Sequence, residues 1–254
     1  MIFFLIRIAP IILPLVYLGL LRELFIYPDS WPVYLTVAVL INLFYFAILF
    51  VRLRRQRVWL ACIYSIIFLS IGIASFMLFS SQSIIIAFSI FWAACYAMYL
   101  ESIFNYFYRT DKRSIFDLKN ISAYLNLVLV FFLVADLLNF YVFLSLDWWW
   151  ALLISIFVLA VILLDRFAFL GLPRKSNLVY SAVITLVLSE LLGALFFWPS
   201  SIYVLSGIIA IFYYFFVSLA TLNWEKKLTR KLFWQYFIFV IVFLLIILGT
   251  AKWL

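Results

Sequence analysis

The chain has 254 residues, 70% of them hydrophobic and only 11% charged. A water-soluble surface needs far more polar groups than that, so a soluble globular protein is excluded and an integral membrane protein is expected. The net charge of +8 comes from basic residues gathered in short loops, which points to anionic lipid headgroups and away from nucleic acid as the partner of these charges.

Windows of about 19 residues, read against the length needed to cross ~30 Å of hydrocarbon, predict an all-α polytopic bundle of nine transmembrane helices. In chain order these are 2–21, 31–51, 58–79, 83–100, 121–144, 148–164, 178–198, 202–222 and 232–250. They form a single integral membrane domain over 1–254, with no soluble domain. The first span carries Arg7, Pro10 and Pro14. Arg7 reads as an anchor that snorkels to the headgroups, with the alternative that it is the counter-ion of a carboxylate inside the bundle. The prolines are expected to kink or loosen the helix. A basic n-region and a small-residue cleavage site are missing, so a cleaved signal peptide is not expected.

Asp29-Ser30-Trp31-Pro32, Asp147 and Pro199-Ser200-Ser201 precede the second, sixth and eighth spans, and each is expected to offer a side-chain acceptor to the first amides of its helix. Cys62 and Cys95 lie inside apolar spans and read as packing thiols, with a redox pair or shared metal ligand as the alternative.

Between the fourth and fifth spans lies the longest connection, 101–120. Glu101, Asn105 and Tyr108 follow the i, i+4, i+7 spacing of one helix face, provided the fourth helix continues past the bilayer edge. Ile115, Phe116 and Leu118 alternate with charges, as in a short helix lying in the interface. Together these residues form a candidate docking segment, against the simpler alternative of ordinary interfacial solvation.

The fifth span, 121–144, holds Asp136. A charged Asp at a helix centre costs roughly 2.5 to 3.5 kcal/mol on insertion scales, so it must be shielded, paired or protonated. Asn139, three residues on, is a candidate partner. In the seventh span Glu190 has the same Leu-Leu sequel as Asp136 and sits at a similar distance from its outer turn, with Gly193 where the fifth span has Asn139. Hairpins 121–165 and 178–222 therefore align as a parallel repeat, or else as two Leu-rich segments alike by chance. Asp136 and Glu190 are both expected to be buried.

Fifteen of the 18 basic residues fall in the loops 52–57, 101–120, 165–177 and 223–231, while the alternate connections and the tail hold only Arg22 and Lys252. By the positive-inside rule this places the N-terminus in the cytoplasm and the C-terminus outside, in what reads as a prokaryotic plasma membrane.

The chain has no histidine, no nucleophile elbow, no Gly-rich phosphate loop and no metal-ligand spacing. An enzyme is not expected, nor a metal or cofactor. Two functions remain. One is a non-catalytic membrane module, an assembly subunit or scaffold whose carboxylates fix helix packing or meet another membrane protein. The alternative is a proton- or cation-coupled transporter of small solutes using Asp136 and Glu190.

The topology is open to a direct check. In a variant lacking Cys62 and Cys95, a cysteine introduced at Ser81 should react with an impermeant maleimide on intact cells, and one at Arg54 only after permeabilisation. The reverse pattern would invert the assignment.

Overall fold

A computed structural model of the chain describes residues 2–53, 57–108 and 112–250, with side chains described over 6–51, 58–108 and 120–249. Among these residues the regular structure is helical: α1 (Ile2–Ile26), α2 (Trp31–Leu53), α3 (Arg57–Leu78), α4 (Gln82–Tyr108), α5 (Lys112–Phe143), α6 (Trp148–Phe169), α7 (Arg174–Leu195), α8 (Ile202–Trp224) and α9 (Arg230–Thr250), with a 3-10 turn at Pro28–Ser30. All nine α-helices contain a stretch long and apolar enough to cross a membrane, so the chain is a multi-pass membrane protein. Exposed tryptophans gather near the span ends, Trp31, Trp149 and Trp198 at one set and Trp59, Trp224 and Trp234 at the other, as amphipathic rings do at headgroup level.

Several helices outrun the hydropathy windows. α4 continues to Tyr108, α6 to Phe169, and α7 begins at Arg174. A window stops at the first charges, but the backbone keeps its hydrogen bonds for as long as the side chains can reach polar surroundings. For the same reason the separate interfacial helix expected within 101–120 is replaced by the first turns of α5, which run unbroken from Lys112. Asp147 and Ser201 occupy the expected N-cap positions, yet neither side chain makes a capping bond; their carbonyls accept from Trp150 and Val204 instead. The orphan amides are left to solvent and headgroups.

The chain divides into two compact units, Met1–Leu125 and Asn126–Leu254, with the boundary inside α5. In the first unit α1 packs on α2 and α4, and α3 on α2 and α4. Its core is aromatic. Phe68 stacks on Trp92 at 4.6 Å, Tyr64 meets Tyr99 at 4.6 Å, and Tyr17 leans on Tyr96 at 6.1 Å. Four aromatic handles and Ser65 in this cluster bond across helices: Trp92 Nε1 donates to the Phe68 carbonyl (3.1 Å), Tyr99 to that of Ala61 (3.2 Å), Tyr17 to that of Leu69 (3.2 Å), and Tyr96 and Ser65 both donate to Asn42 Oδ1 at 2.9 Å. Gly72 on α3 is what lets this cluster close, because a Cβ there would overlap the Trp92 indole and the Tyr17 hydroxyl.

The second unit packs α6 on α7, α7 on α8 and α8 on α9. α6 ends in a Schellman turn: Gly171 takes φ +78, Leu172 N donates to the Phe167 carbonyl and Gly171 N to that of Ala168, and Pro173 then starts α7. The turn after α8 repeats the pattern with Lys226 at φ 55, Lys227 N donating to the Leu222 carbonyl and Lys226 N to that of Asn223.

Gly72→Ala should destabilise the first unit by about 1–3 kcal/mol, the usual range for overpacking a filled core. Thermal unfolding in detergent reads it, and an unchanged melting temperature would mean that α1 and α4 approach α3 less closely than the structure has them.

Candidate functional site

The two acids singled out in the sequence sit in opposite surroundings. Asp136 is buried on α5, 3% exposed. Asn139 is turned back onto its own helix, Nδ2 donating to the Ala135 carbonyl at 2.7 Å. Glu190 corrects the expectation of burial, because it lies on the exposed face of α7. The cause is the pattern of that helix, whose polarity is inside out. Asn177, Ser181, Thr185 and Ser189, spaced four apart, face inward, and Val179, Val183 and Leu186 face outward. Glu190 falls on the outward stripe by the same helical spacing. It lies about 8 Å from the last residue of the helix by the rise per residue, within reach of the membrane surface for a snorkelling side chain. At Gly193, which aligns with Asn139, a Cβ would meet only the Leu152 methyls, at an ordinary 3.6 Å.

In the first unit the structure brings together the other sequence candidates. α4 does run past residue 100, and Glu101, Asn105 and Tyr108 share a face of it. Arg7 of α1 reaches this face: its Nη1 donates to Glu101 Oε1 at 2.8 Å, and its guanidinium lies 4.9 Å from the Phe104 ring centroid. Asn105 Nδ2 donates to the same Oε1 at 3.2 Å, and Phe104 stacks on Tyr108. The two charged side chains keep 44% and 40% of their exposure, so water and headgroups screen the pair, which is worth about 0–1 kcal/mol. Both line a crevice of about 610 Å³, together with Pro10, Met98, Asn105 and Asn120. Pro10 lacks an amide, which frees the carbonyl one turn back from its intrahelical bond. Of the remaining docking candidates, Ile115, Phe116 and Leu118 belong to the first turns of α5, and their side chains lie outside the described residues.

Sequence reasoning missed Asp165. Placed in a loop by the hydropathy window, it is in fact in the last turns of α6 and 1% exposed, next to Arg166, which is also buried. The signal was present in the helical period: Ala151, Ser155, Val158, Ile162, Asp165 and Phe169 form one buried stripe at alternating spacings of four and three. Neither Asp165 oxygen accepts a hydrogen bond among the described residues. Arg166 and Tyr213 of α8 are its electrostatic neighbours, and Asn126 of α5 adjoins Tyr213. Nearby, Asn177 Nδ2 donates to the Leu164 carbonyl (3.1 Å) and its Oδ1 accepts from Ser181 (3.1 Å), pinning α7 to α6. Among the described residues no three His, Cys, Asp or Glu side chains are grouped to hold a metal ion, and Cys62 and Cys95 are buried free thiols.

Asp165 and Arg166 are enclosed electrostatic neighbours on one helix, and removing one of two buried groups that compensate each other costs up to about 3–5 kcal/mol. Asp165→Leu and Arg166→Leu should therefore each lower the detergent melting temperature steeply, while the double variant loses less than the sum. Strict additivity would show that the two side chains do not compensate each other.

No curated protein and no solved structure matches the chain. A family model does, that described as protein of unknown function (DUF5656), over residues 65–250, from within α3 to the end of α9, and the chain accordingly belongs to that family.

Proposed function

We propose that the protein is a non-catalytic module of a prokaryotic plasma membrane, an assembly subunit or scaffold, in which Asp136 serves helix packing within its unit and Glu190 meets a polar or basic group of another membrane protein. The observation that carries this reading is the outward placement of Glu190 on an otherwise apolar stripe of a spanning helix. A carboxylate facing acyl chains is costly away from the surface, and a partner helix offering a donor removes that cost. α9 supports the same reading, since almost none of its span is buried and it offers a continuous apolar face. The lack of histidine and of a nucleophile motif in the sequence, and of grouped metal ligands among the described residues, supports a role without catalysis. The basic loops would hold the anionic headgroups of the cytoplasmic leaflet.

A coupled transporter would ask Asp136 and Glu190 to load and release one ion along a shared wet path. An enclosed Asp136 and a Glu190 facing outward supply unlike surroundings, which favours the module.

Purification of a tagged copy from its native membrane, with mass spectrometry of what is retained, tests the proposal. A membrane protein should be recovered at fixed ratio, and Glu190→Leu should reduce its recovery about tenfold, the effect of about 1.4 kcal/mol, while Asp136→Asn leaves it unchanged. Recovery of the chain alone, or of a partner indifferent to Glu190, would overturn it.

A further inference from the structure

We infer that the crevice between α1 and α4 is a binding site for a zwitterionic phospholipid whose headgroup carries a primary ammonium, the ethanolamine type. This inference does not depend on the proposed role of Glu190. At about 610 Å³ the crevice falls within the range of small-ligand sites, roughly 300–1,000 Å³. It lies where the first turns of α1, the last turns of α4 and the start of the fifth span meet, at the end of these helices where the basic loops cluster. That is headgroup depth. Its apolar side includes Ile11 and Met98, 63% and 50% exposed, which continue into the acyl region.

The polar side carries both signs of charge, each only partly used. Glu101 Oε1 accepts from Arg7 and from Asn105, which leaves Oε2 free of any hydrogen bond among the described residues. Arg7 spends one of its five donors, Nη1, on Glu101. Asn120 adds an exposed carboxamide to the rim. The crevice thus presents an acceptor with negative charge beside a fork of donors with positive charge.

A ligand that satisfies both must bring an N–H cation and a phosphate oxygen a few bonds apart, on an alkyl body. A phosphoethanolamine headgroup has that form: its ammonium donates to Glu101 Oε2 and its phosphate accepts from Arg7. A choline headgroup brings the same charges but no N–H, so Oε2 gains no hydrogen bond. A phosphatidylglycerol headgroup satisfies Arg7 but sets its net negative charge against Glu101. Charge-assisted hydrogen bonds are the strong ones, so the ammonium contact is what separates the three lipids.

The test uses the whole chain in detergent, with phosphatidylethanolamine, phosphatidylcholine and phosphatidylglycerol of identical acyl chains, and native mass spectrometry to count bound lipid. The wild-type protein should retain phosphatidylethanolamine about tenfold over each of the others, as one charge-assisted hydrogen bond provides. Glu101→Gln should abolish the preference over phosphatidylcholine, and Arg7→Gln should weaken both zwitterionic lipids alike. Equal retention of all three lipids by the wild type, or a preference for phosphatidylglycerol, would overturn the inference whether or not either variant folds. A preference for phosphatidylethanolamine that survives Glu101→Gln would overturn the assignment to this crevice.

Discussion

Hydrocarbon has no hydrogen bonds to give, so a polar side chain inside a membrane bundle must find its partner within the protein. Much of the structure follows from that constraint. In the first unit a closely packed aromatic core is tolerable because Trp92, Tyr99 and Tyr17 donate to helix carbonyls and Tyr96 to Asn42. The donors run from one helix to another, from α4 to α3 and α2 and from α1 to α3, so the bonds that satisfy the side chains also fix which helices lie side by side. Gly72 completes the arrangement by leaving room for Trp92 and Tyr17.

In the second unit the constraint produces an inside-out α7. Short polar side chains turn inward, where Ser181 can reach Asn177 and Asn177 the carbonyl of Leu164, and branched apolar ones turn outward. Asp165 stands, with Thr185 Oγ1 and the Tyr213 hydroxyl, among the buried groups of this unit that have no hydrogen-bond partner among the described residues. It is enclosed without a hydrogen bond among the described residues, with Arg166, the next residue of its own helix, as an electrostatic neighbour. The Asn177 bond to the Leu164 carbonyl, together with the Schellman turn at Gly171, holds the end of α6 against the start of α7.

The same physics separates the carboxylates by role. Asp136 and Asp165 are interior groups, whose surroundings are set by the fold. Glu101 is held in a half-exposed ion pair that opens on a crevice. Glu190 is alone on an apolar outer face. Four acids of similar chemistry thus occupy two enclosed interior positions, an open crevice and an exposed apolar stripe, and only the last two can meet a partner from outside the bundle.

The sequence by itself determined the class of molecule, the existence and order of the spanning helices and the location of the basic loops, because membrane crossing is governed by hydropathy summed over a window and by loop charge, both local quantities. It also contained the face formed by Glu101, Asn105 and Tyr108, since helical spacing is local too. Tertiary structure alone decided which way each face turns. In a membrane both the core and the surroundings are apolar, so a stripe of valine and leucine does not distinguish inside from outside. Glu190 was therefore expected inside and lies outside, and Arg7 found Glu101 across a sequence separation that no window spans. Asp165 was hidden for the opposite reason: a hydropathy window ends at the first charge, whereas a helix ends where its backbone hydrogen bonds do.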